Sequence, residues 1–137
     1  MNILEDIKRL EFPQGQYIIV GSGPLVVRGI RETNDIDIVV SPELFEKCKQ
    51  DWWEQLPRTY PDKIGQIYLR HGYVELFLDV NCADFNPTRE ELVQRADIIE
   101  EIAFASLEDM IKLKQSYNKP KHWEDIKRIE KYLKENS

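Results

Sequence analysis

Two aspartates, Asp35 and Asp37, alternate with apolar residues in the segment DIDIVV at positions 35–40. The alternation predicts a strand, because successive side chains of a strand point to opposite faces of a sheet. Both carboxylates then lie on one face, about 6.5–7 Å apart along the strand, and the apolar side chains fill the core. Carboxylates this close repel one another unless a cation neutralises them, and Mg²⁺ prefers one or two carboxylates together with substrate phosphates.

A glycine-rich turn, GSG at 21–23, precedes these aspartates. It follows an apolar run at 17–20 that predicts a strand, and a proline then opens a helix predicted over 25–30. Gly21 and Gly23 allow the backbone to approach a ligand closely, and the start of a helix directs unpaired N–H groups outward. The turn is therefore a candidate for phosphate binding.

The turn and the aspartates together form a candidate site for a nucleoside triphosphate. Ser22 would donate a hydrogen bond to a phosphate oxygen, and a metal would join the phosphates to Asp35 and Asp37. Two metal ions at such a site support in-line attack on the α-phosphate. Each half alone is common, since a Gly-Ser-Gly sequence is usually only a turn, but the combination is far more specific.

The stretch from residue 20 to residue 40 resembles the signature of the nucleotidyltransferase fold, the DNA polymerase beta superfamily. Within it, RETNDID at 31–37 is similar to the minimal and toxin-type nucleotidyltransferases of bacterial and archaeal defence systems. Three further segments resemble the closing helices of that family: LEDMIKLK at 107–114, KPK at 119–121 and EDI at 124–126.

This resemblance implies a magnesium-dependent enzyme that transfers a nucleoside monophosphate from a nucleoside triphosphate to a hydroxyl of RNA, protein or a small molecule. The alternative is a binding or regulatory module that kept the fold and lost turnover, as half of a toxin–antitoxin-like pair. Other minimal members act with a separate helical partner protein. The short chain is consistent with such a partner or with a homodimer.

The family usually carries a third carboxylate on a later strand, and two acids are candidates here. Glu75 and Asp79 share one face of a predicted strand. Glu75 is favoured because it lies mid-strand among apolar neighbours, where a charge needs a reason. Asp79, nearer the end, is equally a candidate for a cap or turn residue. The third acid would be the second-metal ligand or the general base for the acceptor hydroxyl.

Four charged residues outside the acidic cluster are candidates for phosphate recognition or its support. Arg28 and Arg31 are close in sequence to the turn, where either would clamp phosphate or simply pair with a nearby acid such as Glu32. From the resemblance, Lys114 would neutralise phosphate charge, and Asp125 would orient either Lys114 or the basic turn at Lys119. The competing interpretation places Lys114 and Asp125 on solvent-facing helix surfaces.

The aromatic residues allow two interpretations. Trp52, Trp53, Tyr60 and Tyr68 are candidates for a base-stacking surface. Such residues more often belong to the core or its rim, which is the favoured prediction.

The remaining elements are predicted from periodicity and from start and stop signals. They are a helix at 2–11, a helix opened by Ser41-Pro42, a hairpin of 64–70 and 73–80 around His71-Gly72, a helix capped by Thr88 and Glu91, an edge strand at 98–105, and helices over 106–117 and 121–134. This order predicts one domain over 1–137 of the α/β (α+β) class, with a small mixed β-sheet flanked by helices.

Composition limits the functional classes. Of 137 residues 25 are acidic and 19 basic, so the formal net charge of −6 argues against a broad basic surface for nucleic acid. Cys48 and Cys82 lack metal-type spacing and are predicted to be buried free thiols. Apolar runs are shorter than the roughly 18–20 residues that span a membrane, and the charged N-terminus does not resemble a secretion signal. No membrane partner and a cytoplasmic location are therefore expected.

Overall fold

The computed structural model describes residues 2–80 and 84–137. A seven-stranded mixed sheet is combined with helices, which confirms the predicted fold class. The strands are β1 Tyr17–Val20, β2 Ile36–Val40, β3 Glu54–Pro57, β4 Ile67–His71, β5 Val74–Phe77, β6 Asp97–Ile99 and β7 Ile102–Phe104. The helices are α1 Ile3–Leu10, α2 Gly23–Val26, α3 Pro42–Gln50, α4 Arg89–Gln94, α5 Leu107–Tyr117 and α6 Pro120–Glu135, with a 3-10 turn at Pro61–Lys63.

The order of strands across the sheet is β3-β4-β5-β2-β1-β7-β6. Strand β2 is central, antiparallel to β1 and parallel to β5. Its register places Asp37 opposite Val20, the residue before the glycine turn, and opposite Glu75 on the other side. Sheet pairing therefore brings together three segments that are distant in sequence.

The alternation predicted for β2 is confirmed by burial. Ile36 and Ile38 have no exposed surface, and on the neighbouring strands Leu69 and Leu76 are buried as completely. These side chains belong to the hydrophobic core on one face of the sheet. Because strand side chains alternate, Asp37 projects from the opposite face.

The predicted helix starts are confirmed by side-chain capping. The Ser41 hydroxyl accepts a hydrogen bond from the Leu44 backbone N–H at 3.1 Å, and Ser106 caps α5 in the same way. Thr88 and Glu91 form the predicted capping box at α4. A serine or threonine in this position satisfies a backbone N–H that the helix itself leaves unpaired.

The predicted hairpin around His71-Gly72 is confirmed, with different limits. Strands β4 and β5 pair antiparallel, and Gly72 has a φ of 61° that glycine adopts without strain. His71 is the last residue of β4 rather than part of the turn. Strand β5 ends at Phe77, short of the predicted residue 80.

Two strands differ from the sequence prediction. The segment predicted as one edge strand over 98–105 is a tight hairpin, β6–β7, turned by Glu100 and Glu101 with φ of 48° and 71°. A two-residue turn with both φ positive usually contains glycine or asparagine, so the sequence carried no turn signal. Strand β3 was not predicted because its residues, EQLP, are mostly polar and exposed.

Helix α2 is shorter than predicted. It spans four residues, Gly23–Val26, instead of continuing to residue 30. Gly29, at a φ of 73°, lies just beyond it. A left-handed glycine after the last helical residues is a common way for a helix to end.

Cys48 is a buried free thiol, as predicted. Burial, followed by the charge of Asp51, raises the pKa of the thiol to about 11, so it is protonated and unreactive at neutral pH. Cys82 lies outside the described residues. Among the helices of residues 2–80 and 84–137, none combines the length and the apolar character needed to cross a bilayer.

Candidate functional site

A cavity of about 390 Å³ opens where β1, β2 and β5 approach α5 and α6. Its size lies within the usual range for small-molecule sites. Most of the residues singled out from the sequence line it: Gly21, Ser22, Arg31, Asp35, Asp37, Glu75, Asp79, Lys114 and Asp125. These residues come from five separate segments of the chain, so the fold assembles the predicted site.

An acidic cluster forms one side of the cavity. Asp37 and Glu75 are directly paired across the parallel strands β2 and β5, and Asp35 lies immediately before β2. Burial, the Glu75 charge and the Asp35 charge together raise the pKa of Asp37 to about 7, despite opposing effects of two lysines. Burial and then Asp35 raise the pKa of Glu75 as well, partly offset by Arg70. The cluster holds more negative charge than its surroundings neutralise.

The glycine turn lies against this cluster. Gly21 has a φ of 65°, and a Cβ added to it would be 2.7 Å from the Oδ2 atom of Asp37. Only glycine therefore fits here, both for its backbone conformation and for its closeness to the carboxylate. Ser22 follows directly and lines the cavity, so a phosphate at the turn would lie close to a metal held by the acids.

Two residues predicted to bind nucleotide lie elsewhere. Gly23 is buried, and a Cβ there would be 2.4 Å from the Cγ2 atom of Ile19, so this glycine allows α2 to pack closely on β1. Arg28 donates to the backbone carbonyl of Pro24 at 2.8 Å and pairs with Asp97 on β6. Neither residue lines the cavity; Gly23 supports packing and Arg28 connects α2 to the sheet edge.

The two candidates for the third carboxylate have different surroundings. Glu75 is adjacent to Asp37 in the sheet. Asp79 also lines the cavity, but it lies beyond the end of β5, where Arg58 binds it at 2.6 Å and Lys63 at 3.1 Å. The charge of Asp79 is therefore compensated by protein cations. Glu75 is the acid that the sheet places beside Asp37.

The opposite side of the cavity is an ion-pair network centred on Asp125. The Lys114 ammonium lies 3.0 Å from Asp125, the Arg31 guanidinium binds both carboxylate oxygens at 2.8 and 2.9 Å, and Arg128 completes the network at 3.1 Å. Side-chain exposure is only 3% for Lys114 and 2% for Asp125. The interpretation of these two as solvent-facing residues was wrong, because α5 and α6 pack them into the cavity wall.

The pKa shifts in this network follow from its geometry. Burial would raise the pKa of Asp125, but the hydrogen bond and charge of Lys114, with those of Arg31, outweigh it and lower the pKa. Burial lowers the pKa of Lys114, and Asp125 partly opposes that effect. The structure pairs Arg31 with Asp125 and not with the Glu32 side chain.

Aromatic side chains flank the cationic wall. Tyr60 and Tyr117 line the cavity with ring centroids 6.4 Å apart, and His122 lies 4.9 Å from Tyr117. The Lys119 ammonium lies 5.5 Å over the Tyr60 ring. Sequence reasoning had not singled out Tyr117, although its position one helical turn after Lys114 was a usable signal.

The four predicted aromatic candidates separate in the structure. Tyr60 lines the main cavity, and Tyr68 lines a smaller groove beside it. Trp53 packs against Phe12 and His71, and Trp52 is 93% exposed at the end of α3. The favoured core-or-rim interpretation fits Trp53, while the two tyrosines face open space near the acids.

The acidic cluster is suited to a hard divalent cation. Carboxylate oxygens are the ligands that Mg²⁺ takes, and Mg²⁺ usually keeps several waters and uses only one or two protein carboxylates. Within the described residues, no group of three His, Cys, Asp or Glu side chains is arranged as a preformed metal site. The donors Asp35, Asp37 and Glu75 therefore fit a metal completed by phosphate and water, not an all-protein cage.

Comparison with known proteins adds no assignment. No protein-family model matches the chain, and none of the curated proteins matches it. The resemblance to nucleotidyltransferases remains a prediction from the sequence.

Proposed function

We propose that this protein is a magnesium-dependent nucleotidyltransferase, which transfers a nucleoside monophosphate from a nucleoside triphosphate to a hydroxyl acceptor. The main support is the half-buried pair of Asp37 and Glu75, with Asp35 beside it and the turn at Gly21 pressed against it. Burial and mutual repulsion disfavour the charged state of these acids. A bound cation would offset both effects, so a cation site explains why these acids lie together.

The charge distribution of the cavity matches a triphosphate and its metal. Acids lie on the strand side, and Lys114 and Lys121 lie on the helix side. Ser22 and the turn would bind phosphate oxygens, while the two lysines would stabilise the charge on the departing pyrophosphate. When bound, Mg²⁺ would supply the local positive charge for the phosphoryl oxygens.

The acceptor hydroxyl requires a base, and in this proposal Asp35 and Asp37 hold the metal while Glu75 acts as the base. Its pKa is raised by burial and by Asp35, and a carboxylate of raised pKa takes up a proton more readily. In the proposed reaction, the acceptor oxygen bonds to the α-phosphorus, the bond to the bridging oxygen breaks, and Glu75 receives the proton.

A second candidate is a module that binds nucleotide without turnover. One observation favours it: Lys114 is already committed to Asp125 at 3.0 Å. A lysine paired with a protein carboxylate neutralises less of the phosphate charge than a lysine that contacts only the ligand. The transfer assay below separates the two candidates, because both predict nucleotide binding and only one predicts a labelled product.

The decisive experiment is a label-transfer assay. The protein is incubated with each α-³²P-labelled nucleoside triphosphate, Mg²⁺ and RNA, protein or small-molecule acceptors. The test variant is Asp35→Asn with Asp37→Asn, and the matched control removes two exposed carboxylates of α3, Glu43→Gln with Glu46→Gln. Transfer by the wild type and the control, lost in the test variant, supports the proposal. Transfer that survives in the test variant overturns it.

A further inference from the structure

The sheet face that carries the acidic cluster extends beyond the cavity. Register places Glu75 opposite Arg70 of β4, and Arg70 opposite Glu54 of β3. The next row on the same face contains Phe77 and Tyr68, whose rings are 5.1 Å apart and inclined by only 19°. A charged row and an aromatic row therefore run side by side from the acids towards the β3 edge.

This part of the sheet is open to solvent on one face only. Tyr68 and Phe77 are half-buried, whereas Leu69 and Leu76 on the other face have no exposed surface. A groove of about 170 Å³ follows the aromatic row, lined by Arg58, Thr59, Tyr60, Tyr68, Glu75 and Phe77. Three of these residues, Tyr60, Glu75 and Phe77, also line the main cavity, so the groove continues directly from the acids.

Aromatic rings and two cations lie along the groove. The Tyr68 and Phe77 rings stack on each other with centroids 5.1 Å apart, and the buried Arg58 guanidinium, which pairs with Asp79, lies over the Phe77 ring at 5.5 Å. Lys119 lies over Tyr60 at the junction with the main cavity. Aromatic rings that stack bases, beside cations that attract the backbone, are how proteins hold unpaired polynucleotide.

The neighbouring edge strand is unsuited to binding a peptide by strand addition. The backbone N–H of Arg58 donates to the Gln66 carbonyl at 3.0 Å. Because backbone groups of an edge strand point alternately towards the neighbouring strand and outward, the residue next to Arg58 points its backbone groups outward. The outward position in β3 next to Arg58 is Pro57, which has no N–H to donate. A protein acceptor would gain few main-chain hydrogen bonds here, which favours a ligand that stacks.

We propose that the Tyr68–Phe77 groove is the acceptor subsite, and that it stacks an unpaired nucleobase at a polynucleotide end whose hydroxyl reaches Glu75. This assignment rests on the proposed function, because it names the acceptor of that same site. Net charge does not oppose it, since Asp79 is paired with Arg58 and Lys63, and the exposed Lys119 ammonium lies over Tyr60 where the groove meets the cavity. A single-stranded end is expected because a paired base has both faces covered.

Binding is measured without nucleotide or turnover, so that it stands apart from catalysis. The probe is a 5′-fluorescein-labelled hexanucleotide, used as RNA and as DNA of the same sequence, followed by anisotropy. Tyr68→Leu keeps an apolar side chain but removes the flat ring, and we expect affinity to fall about tenfold, as for loss of one stacked base. Tyr68→Phe keeps the ring and should restore binding relative to Tyr68→Leu.

Two controls make the result specific. Trp52→Ala removes the most exposed aromatic ring, which lies outside the groove, and should leave affinity unchanged. A blunt duplex of the same sequence should bind at least tenfold more weakly than the single strand. Thermal unfolding by circular dichroism checks that each variant is folded, and Phe77→Leu provides a second ring deletion if Tyr68→Leu unfolds.

The outcomes separate this assignment from the proposed function. Loss of single-strand binding in Tyr68→Leu without any label transfer by the wild type supports the groove as a nucleobase site but overturns both the proposed function and the acceptor role. Transfer to a polynucleotide at equal rates in wild type and Tyr68→Leu overturns the groove and supports the enzyme. Transfer to a protein, with no detectable hexanucleotide binding, also overturns the groove as a nucleobase site.

Discussion

Asp37 and Asp125 lie on opposite sides of one cavity, and their surroundings are reversed. Asp125 is almost fully buried and contacts three cations, so the pKa of its carboxyl is lowered despite burial. Asp37 is half-buried beside two other acids, and its pKa rises to about 7. The fold thus pairs the buried Asp125 with cations and leaves the half-buried Asp37 with uncompensated negative charge.

This contrast separates structural from functional electrostatics. A buried acid with protein partners holds two helices in place, and removing it leaves the buried Lys114 ammonium less well paired. A half-buried acid among acids destabilises the metal-free fold, and such an unfavourable arrangement persists where a ligand uses it. The acids around Asp37 therefore indicate function. The network around Asp125 is structural and forms the opposite wall of the cavity.

The largest expected effect is on catalysis, at the acidic side. Asp35→Asn with Asp37→Asn should lower the rate of label transfer by about 1000-fold, since a metal contributes several kcal/mol of transition-state stabilisation. The rate is measured with saturating nucleoside triphosphate and Mg²⁺. The Glu43→Gln/Glu46→Gln control should retain the wild-type rate, and an equal loss there would reverse the interpretation.

The next effect is on stability, at the cationic side. Asp125→Ala should lower the free energy of unfolding by about 3 kcal/mol, because it leaves Lys114 buried and less well paired. Urea titration at pH 7 measures the change. Asp109→Ala is the matched control, since Asp109 is also buried but its partner Arg95 is 45% exposed and can turn to water. If both variants lose the same free energy of unfolding, the ion pairs of the cavity wall stabilise the fold no more than the pair of Asp109 and Arg95 does.

Asp37→Asn should act in the opposite direction and stabilise the metal-free protein. The pKa of Asp37 rises from its usual 3.8 to about 7 in the folded protein, so folding favours the protonated form. Stability from this group is present below pH 4 and is lost as pH rises to about 7. The variant should gain about 2 kcal/mol at pH 7.5, roughly half of a three-unit shift, and nothing near pH 4.

Unfolding curves at several pH values, in the presence of a chelator, test this prediction. The matched variant is Glu46→Gln on the exposed face of α3, whose pH profile should follow the wild type. The prediction is contradicted if the free energy of unfolding of the wild type rises from pH 4 to pH 7.5 with the same slope as that of Asp37→Asn.

The smallest expected effect is the stabilisation of the nucleotide-free protein by Mg²⁺. At ten times its dissociation constant, Mg²⁺ should stabilise the wild type by about 1.4 kcal/mol. The shift is measured in thermal unfolding against K⁺ at equal ionic strength. It should be absent in Asp35→Asn/Asp37→Asn and present in Asp125→Asn, which keeps the acidic side intact. A shift of equal size in all three proteins would place the metal elsewhere.

Local signals predicted the elements that hold the site. The alternation at 35–40 identified both aspartates and the buried face behind them, because strand geometry alone determines which side chains share a face. The caps at Ser41, Thr88 and Ser106 were readable because each involves residues three apart in the chain. The Glu100–Glu101 turn was not readable, since neither residue type favours the left-handed backbone it adopts.

By itself, the sequence determined the composition of the candidate site: a glycine turn, paired acids, and later lysine and aspartate residues on helices. Only the tertiary structure decided that Glu75 adjoins Asp37, that Lys114 pairs with Asp125, and that Arg28 lies at the sheet edge. The reason is physical: periodicity and capping act within a few residues, whereas the register of parallel strands and the packing of helices depend on contacts between distant segments.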